Sequence, residues 1–142
     1  MKLLACRVKD LEIFEEKEKF SEAILIFVGI EKNDKNLNLE EIAKNFLEKE
    51  IIEKDGKFDI KIKDSHLPLV LVSQITLAAS FSSQGRISFD FSPPKEEAKE
   101  IFERFYQALK NFYNRTFKMP FGSYLQLKFI NIGPNNFVFS YD

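Results

Sequence analysis

The pattern of apolar and polar positions predicts a chain in which buried strands alternate with amphipathic helices. Residues 23–30 form an almost unbroken apolar run rich in β-branched side chains, which is typical of a strand covered on both faces. Residues 69–77 repeat this pattern, but Ser73, Gln74 and Thr76 interrupt it. Polar groups inside a buried strand need hydrogen-bond partners, so the second run has an unusual composition.

Five shorter segments with strand-like alternation surround these two runs: residues 2–8, 11–15, 58–62, 123–131 and 137–141. Lys9-Asp10 is a plausible tight connection that makes the first two segments a hairpin, and Asp55-Gly56 is a turn signal between residues 51–52 and the strand that follows. Gly133-Pro134 separates the last two segments.

Two helices are predicted to cover the sheet. The first begins at Asn38, which forms a capping-box pattern with Glu41, and the second follows Ser92 as N-cap, with proline at its first position. Residues 79–92 form a polar loop long enough to face a substrate. The apolar stripes are Leu39, Ile42, Ala43, Phe46 and Leu47 in the first helix, and Ala98, Ile101, Phe102, Phe105, Tyr106, Leu109 and Phe112 in the second.

Composition restricts the possible classes of protein. The 142 residues fit one domain, residues 1–142, and the formal net charge of -1 gives no global basic field for nonspecific nucleic-acid or DNA binding. No apolar run is long enough for a membrane span or a signal peptide. The single Cys6 excludes an internal disulfide and fits a reducing compartment, so a cytoplasmic location is expected.

No conventional catalytic set is visible. His66 and Cys6 are the only residues of their kinds, and each is better interpreted as a surface or core residue than as a catalyst. Phosphate-binding glycine spacings are missing, and nothing predicts a metal or cofactor. Most aromatic residues follow core periodicity, although Phe81, Phe89 and Phe91 lie in the long loop, where they could stack on a base.

Two motifs change this picture. Ser73-Gln74-Ile75-Thr76-Leu77 resembles the Ser-Gln-Phe-Thr-Leu motif of the D-aminoacyl-tRNA deacylases, and Asn131-Ile132-Gly133-Pro134 resembles their Asn-x-Gly-Pro motif. Their order and separation agree with that family. Further similarities run along nearly the whole chain, at Arg7-Val8, Val28-Gly29-Ile30, Asp55-Gly56-Lys57, Ser88-Phe89, Pro93-Pro94 and Phe121-Gly122.

The resemblance implies a homodimeric α/β enzyme whose mixed, mainly antiparallel sheet curls toward a barrel under two helices, with the active site at the dimer interface. The implied reaction hydrolyses the ester that joins a D-amino acid, or glycine, to the terminal adenosine of tRNA. In this family a cis Gly-Pro peptide enters the neighbouring subunit's pocket and excludes L side chains.

The resemblance also implies roles for individual residues. Gly133 and Pro134 would form the wedge and Arg7 would brace it. Ser73, Gln74 and Thr76 would line the pocket, and main-chain N–H groups around Ile75 and Thr76 would form an oxyanion hole. The substrate's 2′-hydroxyl would help to activate water. Phe89 would pack near the adenine, and Asn131 of the second motif would bind substrate.

The sequence departs from the family pattern at several positions. The usual Gly-Pro-Val-Thr continuation is Gly133-Pro134-Asn135-Asn136 here, Ile75 replaces a phenylalanine, and Cys6 replaces a glutamine. Two alternatives stay open beside the deacylase. One is a non-catalytic module that binds RNA ends, and the other is a structural homodimer in which Gln74 and Thr76 only satisfy strand ends.

Overall fold

The hydrophobic runs of the sequence form one mixed sheet with helices packed on it. The computed structural model describes all residues from Met1 to Asp142. The helices are α1 (Leu39–Leu47) and α2 (Lys95–Phe112). The strands are β1 (Lys2–Ile13), β2 (Glu18–Gly29), β3 (Ile52–Lys54), β4 (Lys57–Ile60), β5 (Leu69–Ser73), β6 (Ser80–Phe81), β7 (Ile87–Ser88), β8 (Thr116–Lys118) and β9 (Leu127–Ser140).

The main sheet has five strands in the order β8-β5-β2-β1-β9. Strand β1 pairs antiparallel with β2 and with β9, whereas β2 and β5, and β5 and β8, pair in parallel. The mixed α/β architecture is confirmed. The expected barrel-like closure is wrong, because β8 and β9 are the two edges of an open sheet, and a barrel requires its edge strands to pair with each other.

Strands β2 and β5 are buried on both faces. Along β2, Ile24, Ile26 and Val28 belong to the large hydrophobic cluster that includes the helices, whereas Ala23 and Leu25 belong to a smaller cluster that does not. Successive side chains of a strand point to opposite faces, so two clusters share one strand. The prediction of a central strand covered on both sides is confirmed.

Helix α1 begins at its predicted N-cap and packs as its sequence predicts, although only the Asn38 half of the predicted capping box forms. The side chain of Asn38 accepts a hydrogen bond from the N–H of Glu41 at 3.1 Å, which satisfies one of the free donors of the first turn. All five residues of the predicted apolar stripe are buried. Helix α2 begins later than predicted, because Pro94 is extended and is the N-cap in place of Ser92. Phe112, predicted to be buried, is 45% exposed.

Two predicted breaks between strands are absent. The predicted hairpin at residues 9–10 is a continuous β1, in which Asp10 has a φ of 53° and the pairing with β9 shifts between Lys9 and Glu12. Residues 123–141 likewise contain one long strand, β9. In both places the segments before and after the break pair with the same neighbour, so the irregular residues become a bulge and the chain does not reverse.

No helix in the structure is both long and apolar enough to span a membrane.

Phe46 anchors α1 to the sheet and gives a test of this packing. Its side chain is fully buried and makes an edge-to-face contact with Phe139 of β9, at 5.5 Å between ring centroids. We expect Phe46→Ala to lower the free energy of unfolding by about 3–5 kcal/mol, because it removes a large side chain and leaves a cavity. Denaturant unfolding measures this change. Phe14→Ala is the matched control, since Phe14 is 47% exposed, and an equal loss in both variants would contradict the assignment.

Candidate functional site

The first motif begins where the parallel pairing of β5 with β2 ends. Ser73 lies opposite Val28 in the ladder, and the N–H of Gln74 donates to the carbonyl of Val28 at 2.8 Å. The chain then leaves the sheet in a short 3-10 turn, Ile75–Ala78. The prediction of a strand through residue 77 is wrong beyond Ser73, because β2 ends at Gly29 and offers no further ladder partner.

The turn leaves two main-chain donors without acceptors. Leu77 and Ala79 donate back to the carbonyls of Gln74 and Thr76, at 3.2 and 3.3 Å, whereas the N–H groups of Ile75 and Thr76 donate to no protein atom. The first N–H groups of a helical turn have no acceptor within the turn itself. The two free donors therefore follow directly from the way in which β5 ends.

Residues Ser73 to Thr76 line a cavity of about 420 Å³, which we call the motif cavity. It lies between the end of β5, the start of α2 and the segment that precedes β9. The complete lining is Ile30, Ser73, Gln74, Ile75, Thr76, Ser92, Pro93, Lys95, Ala98, Phe121, Gly122, Ser123 and Tyr124. The structure thus brings all four residues predicted to be catalytic to one cavity.

Side-chain hydrogen bonds fix the polar wall of the motif cavity. The Thr76 hydroxyl donates to Oε1 of Gln74 at 2.9 Å, and Ser73 Oγ accepts from the N–H of Gly122 at 2.9 Å. The first bond orients the Gln74 amide, whose nitrogen forms no hydrogen bond within the chain. The second ties the opposite wall of the cavity to the strand end. A donor group is therefore held in place at the cavity.

Sequence reasoning missed four polar residues of this cavity: Ser92, Lys95, Ser123 and Tyr124. Lys95 is its only charged lining residue and takes part in no salt bridge. The Ser92 hydroxyl is buried without a hydrogen-bond partner. The Ser92-Pro93-Pro94 helix start is the available signal in the sequence, and it predicts a helix cap and not a cavity wall.

The second motif lines a different cavity within the same chain. Gly133 and Pro134, joined by a cis peptide bond, lie with Arg7 around a space of about 310 Å³. Its complete lining is Arg7, Glu53, Gly56, Phe58, Ile132, Gly133, Pro134 and Asn135. Nη1 of Arg7 donates to the Glu53 carbonyl at 3.2 Å, and no hydrogen bond joins Arg7 to Gly133 or Pro134.

The ladder keeps the two motifs apart. Gly133 and Pro134 lie in the part of β9 opposite Arg7, whereas Ser73 pairs with Val28, which pairs with Leu3. Three strand spacings and four residues along β1 place the motifs roughly 20 Å apart. One chain alone does not bring the predicted wedge to the predicted catalytic residues.

The other predicted site residues lie outside the motif cavity. Phe89, which is 41% exposed, does not line it, although its carbonyl accepts from the N–H of Ser92, which does. Asn131 bonds through its side chain to Asn136. His66 is exposed. Cys6 is buried, and burial raises the pKa of its thiol, which makes it a poor nucleophile.

Comparison with known proteins decides the family. Residues 5–140 match the family model for D-Tyr-tRNA(Tyr) deacylase, which is nearly the whole chain. The chain belongs to the D-Tyr-tRNA(Tyr) deacylase family. The D-aminoacyl-tRNA deacylase of Dichelobacter nodosus (strain VCS1703A) is 35% identical over 115 residues, covering 80% of this chain and 79% of that protein. The deacylase of Francisella tularensis subsp. tularensis (strain WY96-3418) is 32% identical over 137 residues, covering 94% of both.

Solved structures share the fold of this family member. The c-Myc DNA Unwinding Element Binding Protein matches with a TM-score of 0.86 at 23% identity and covers 100% of this chain and 99% of its own. A probable eukaryotic D-amino acid tRNA deacylase matches with a TM-score of 0.78 at 12% identity, covering 98% and 99%. At these identities the likeness shows the fold alone.

Gly29 allows the turn of the motif cavity to approach β2 closely, and this contact can be tested. A Cβ atom at residue 29 would lie 2.6 Å from Cβ of Leu77 and 3.4 Å from the Gln74 carbonyl oxygen. We expect Gly29→Ala to displace the turn, because carbon atoms cannot approach so closely. The amide ¹H–¹⁵N resonances of residues 74–78 report this displacement.

The matched control removes the clashing atom. The double variant Gly29→Ala, Leu77→Gly has no Cβ at residue 77, so the resonances of the neighbouring turn residues should return toward their original positions. Unchanged resonances in the single variant would contradict the close approach.

Proposed function

We propose that this protein hydrolyses the ester bond of D-aminoacyl-tRNA, or of tRNA mischarged with glycine, and releases the free amino acid and the tRNA. The observation that carries the proposal is the pair of free N–H groups at Ile75 and Thr76 on the wall of the motif cavity, in a member of a deacylase family. Such donors stabilise charge that develops in a transition state and require no nucleophilic side chain. A cytoplasmic location is part of this proposal, because aminoacyl-tRNA is used there.

In the proposed reaction, a water oxygen bonds to the ester carbonyl carbon and the carbonyl electron pair moves to its oxygen. The N–H groups of Ile75 and Thr76 donate to this oxyanion, each contributing about 10²–10³ in rate by analogy with known oxyanion holes. The substrate's 2′-hydroxyl assists removal of the water proton. The electron pair of the broken carbon–oxygen bond goes to the ribose oxygen, which takes up a proton and leaves with the tRNA.

Substrate selection in this proposal requires a second copy of the chain. Gly133 and Pro134 line a cavity of their own, far from Ser73 to Thr76, so they can border the motif cavity only if a partner subunit supplies them. Their side-chain-poor backbone would exclude an L side chain by clash and leave space for hydrogen or a D side chain. Arg7 lines the wedge's own cavity, and this position supports its proposed bracing role.

The central test gives the purified protein D-Tyr-tRNA and L-Tyr-tRNA and measures release of tyrosine. We expect hydrolysis of the D form and negligible hydrolysis of the L form, because only the L side chain meets the backbone wedge. Equal rates, or no hydrolysis of either, would contradict the proposal. Binding of aminoacyl-tRNA without turnover would favour an RNA-end binding module.

Lys95 is proposed to contact a phosphate near the 3′ end of the tRNA, since it is the only charged residue lining the motif cavity. Losing one phosphate contact on a single strand should lower the slope of log affinity against log salt by about 0.7. We therefore expect Lys95→Gln to raise KM for D-Tyr-tRNA and to weaken its dependence on salt.

Lys99→Gln is the matched control for this prediction. Lys99 lies one turn further along α2, is exposed, and does not line the cavity, so its loss makes the same change in net charge. Equal effects of the two substitutions would show that Lys95 acts only through the overall charge.

A further inference from the structure

The strand that carries Gly133 and Pro134 contains more residues than its neighbour can pair. Cys6 of β1 pairs with Asn136 of β9, and Val8 pairs with Asn131. Between these two pairs β1 advances by two residues, whereas β9 advances by five. Residues 132–135 are therefore opposite Arg7 alone. An ordinary bulge adds a single residue, whereas this irregularity adds three. Residues 132–135, which we call the wedge segment, have no partner in the ladder.

A side-chain hydrogen bond closes the base of the wedge segment. Nδ2 of Asn131 donates to Oδ1 of Asn136 at 2.6 Å. These two residues are the last ladder partners before and after the wedge segment, so the bond joins the two points at which the segment leaves and re-enters the sheet. Neither side chain forms another hydrogen bond.

Asn135, the residue before Asn136, is buried, whereas Asn136 is exposed. Asn135 is 4% exposed, and its side chain lies in the second cavity together with Arg7. Asn135 Oδ1 and Arg7 Nε are both buried without a partner there. Asn135 therefore belongs to the inner wall, while Asn136 turns outward to meet Asn131. The replacement of the family's Val-Thr by Asn-Asn thus affects two different environments.

We propose that the Asn131–Asn136 hydrogen bond is a clamp that sets how far Gly133 and Pro134 project, and that Asn136 is a positioning residue for amino-acid selection. This inference rests on the proposed function. In the isolated chain both asparagines are exposed, and water can replace the bond at little cost. When the wedge segment enters a partner's pocket, water is excluded and the bond becomes stronger. The clamp therefore acts mainly on selection and only slightly on stability.

The need for one donor and one acceptor gives a sharp test. Asn131 supplies the donor and Asn136 the acceptor, so Asn136→Asp keeps a carboxylate oxygen where the amide oxygen was and preserves the clamp. Asn131→Asp alone would also keep a hydrogen bond, because Asn136 can turn its amide nitrogen toward the new carboxylate. The double variant Asn131→Asp, Asn136→Asp places two carboxylates face to face and has no donor. Asn136→Leu removes the acceptor with little change in size.

The first measurement is the ratio of kcat/KM for D-Tyr-tRNA to that for L-Tyr-tRNA, together with Tm. We expect the double variant Asn131→Asp, Asn136→Asp and the variant Asn136→Leu to lower this ratio by about tenfold, the scale of one hydrogen bond, mainly through faster hydrolysis of the L substrate. Asn136→Asp should keep the original ratio. Tm should change little in all three variants.

The second measurement does not depend on activity. The amide ¹H–¹⁵N resonance of Gly133 should move in the double variant Asn131→Asp, Asn136→Asp and in Asn136→Leu, and should stay close to its original position in Asn136→Asp. If the unmodified protein fails to discriminate D from L while these resonances behave as expected, the proposed function is wrong but the clamp stands.

Three outcomes would overturn the clamp. The first is an unchanged ratio of D to L hydrolysis in all variants of a discriminating enzyme. The second is a lower Tm with an unchanged ratio, which would show a merely structural bond. The third is a loss of selectivity in Asn136→Asp as large as that in the double variant, which would show that the hydrogen bond itself does not set the selectivity.

Discussion

The parallel pairing of β5 with β2 is the constraint on which the motif cavity depends. Strand β2 ends at Gly29. On the side of β5, its last hydrogen bond is the one that the N–H of Gln74 donates to the carbonyl of Val28. Beyond that bond the chain has no ladder partner and turns away from the sheet. The free N–H groups of Ile75 and Thr76 result from this turn, so the chemical character of the cavity comes from the end of a strand.

The sheet that creates this cavity also separates it from the second motif. Because β1 lies between β2 and β9, the wedge segment of β9 and the motif cavity at the end of β5 are separated by strands β1 and β2. This arrangement is consistent with a site assembled from two chains, in which the selecting backbone of one subunit faces the catalytic cavity of the other. The fold supplies each half, and the proposed assembly would complete the site.

Backbone groups provide most of the proposed chemistry, and side chains fix their positions. Thr76 orients Gln74, Ser73 holds Gly122, and Asn131 meets Asn136 across the wedge segment. Each of these bonds satisfies a polar side chain that would be costly to bury unpaired, and each lies where a strand ends or leaves its ladder. The polar positions that interrupt the apolar pattern are thus explained by the local geometry of the backbone.

Local pattern alone determined much of this architecture. The run at residues 23–30 predicted a strand buried on both faces, and the stripe of α1 was predicted residue by residue, because both depend on periodicity within one segment. The family was indicated by a different signal, the resemblance of the two motifs to those of the D-aminoacyl-tRNA deacylases. Where the chain pairs with distant segments, the sequence was insufficient: it predicted breaks in β1 and β9 and did not predict β8.

Only the tertiary structure decided these features. A strand continues or ends according to whether a neighbour offers hydrogen bonds, and that neighbour is far away in sequence. Such long-range pairing leaves the N–H groups of Ile75 and Thr76 free and sets the five-residue step of β9 against two residues of β1. It also brings Asn131 and Asn136 within hydrogen-bond distance.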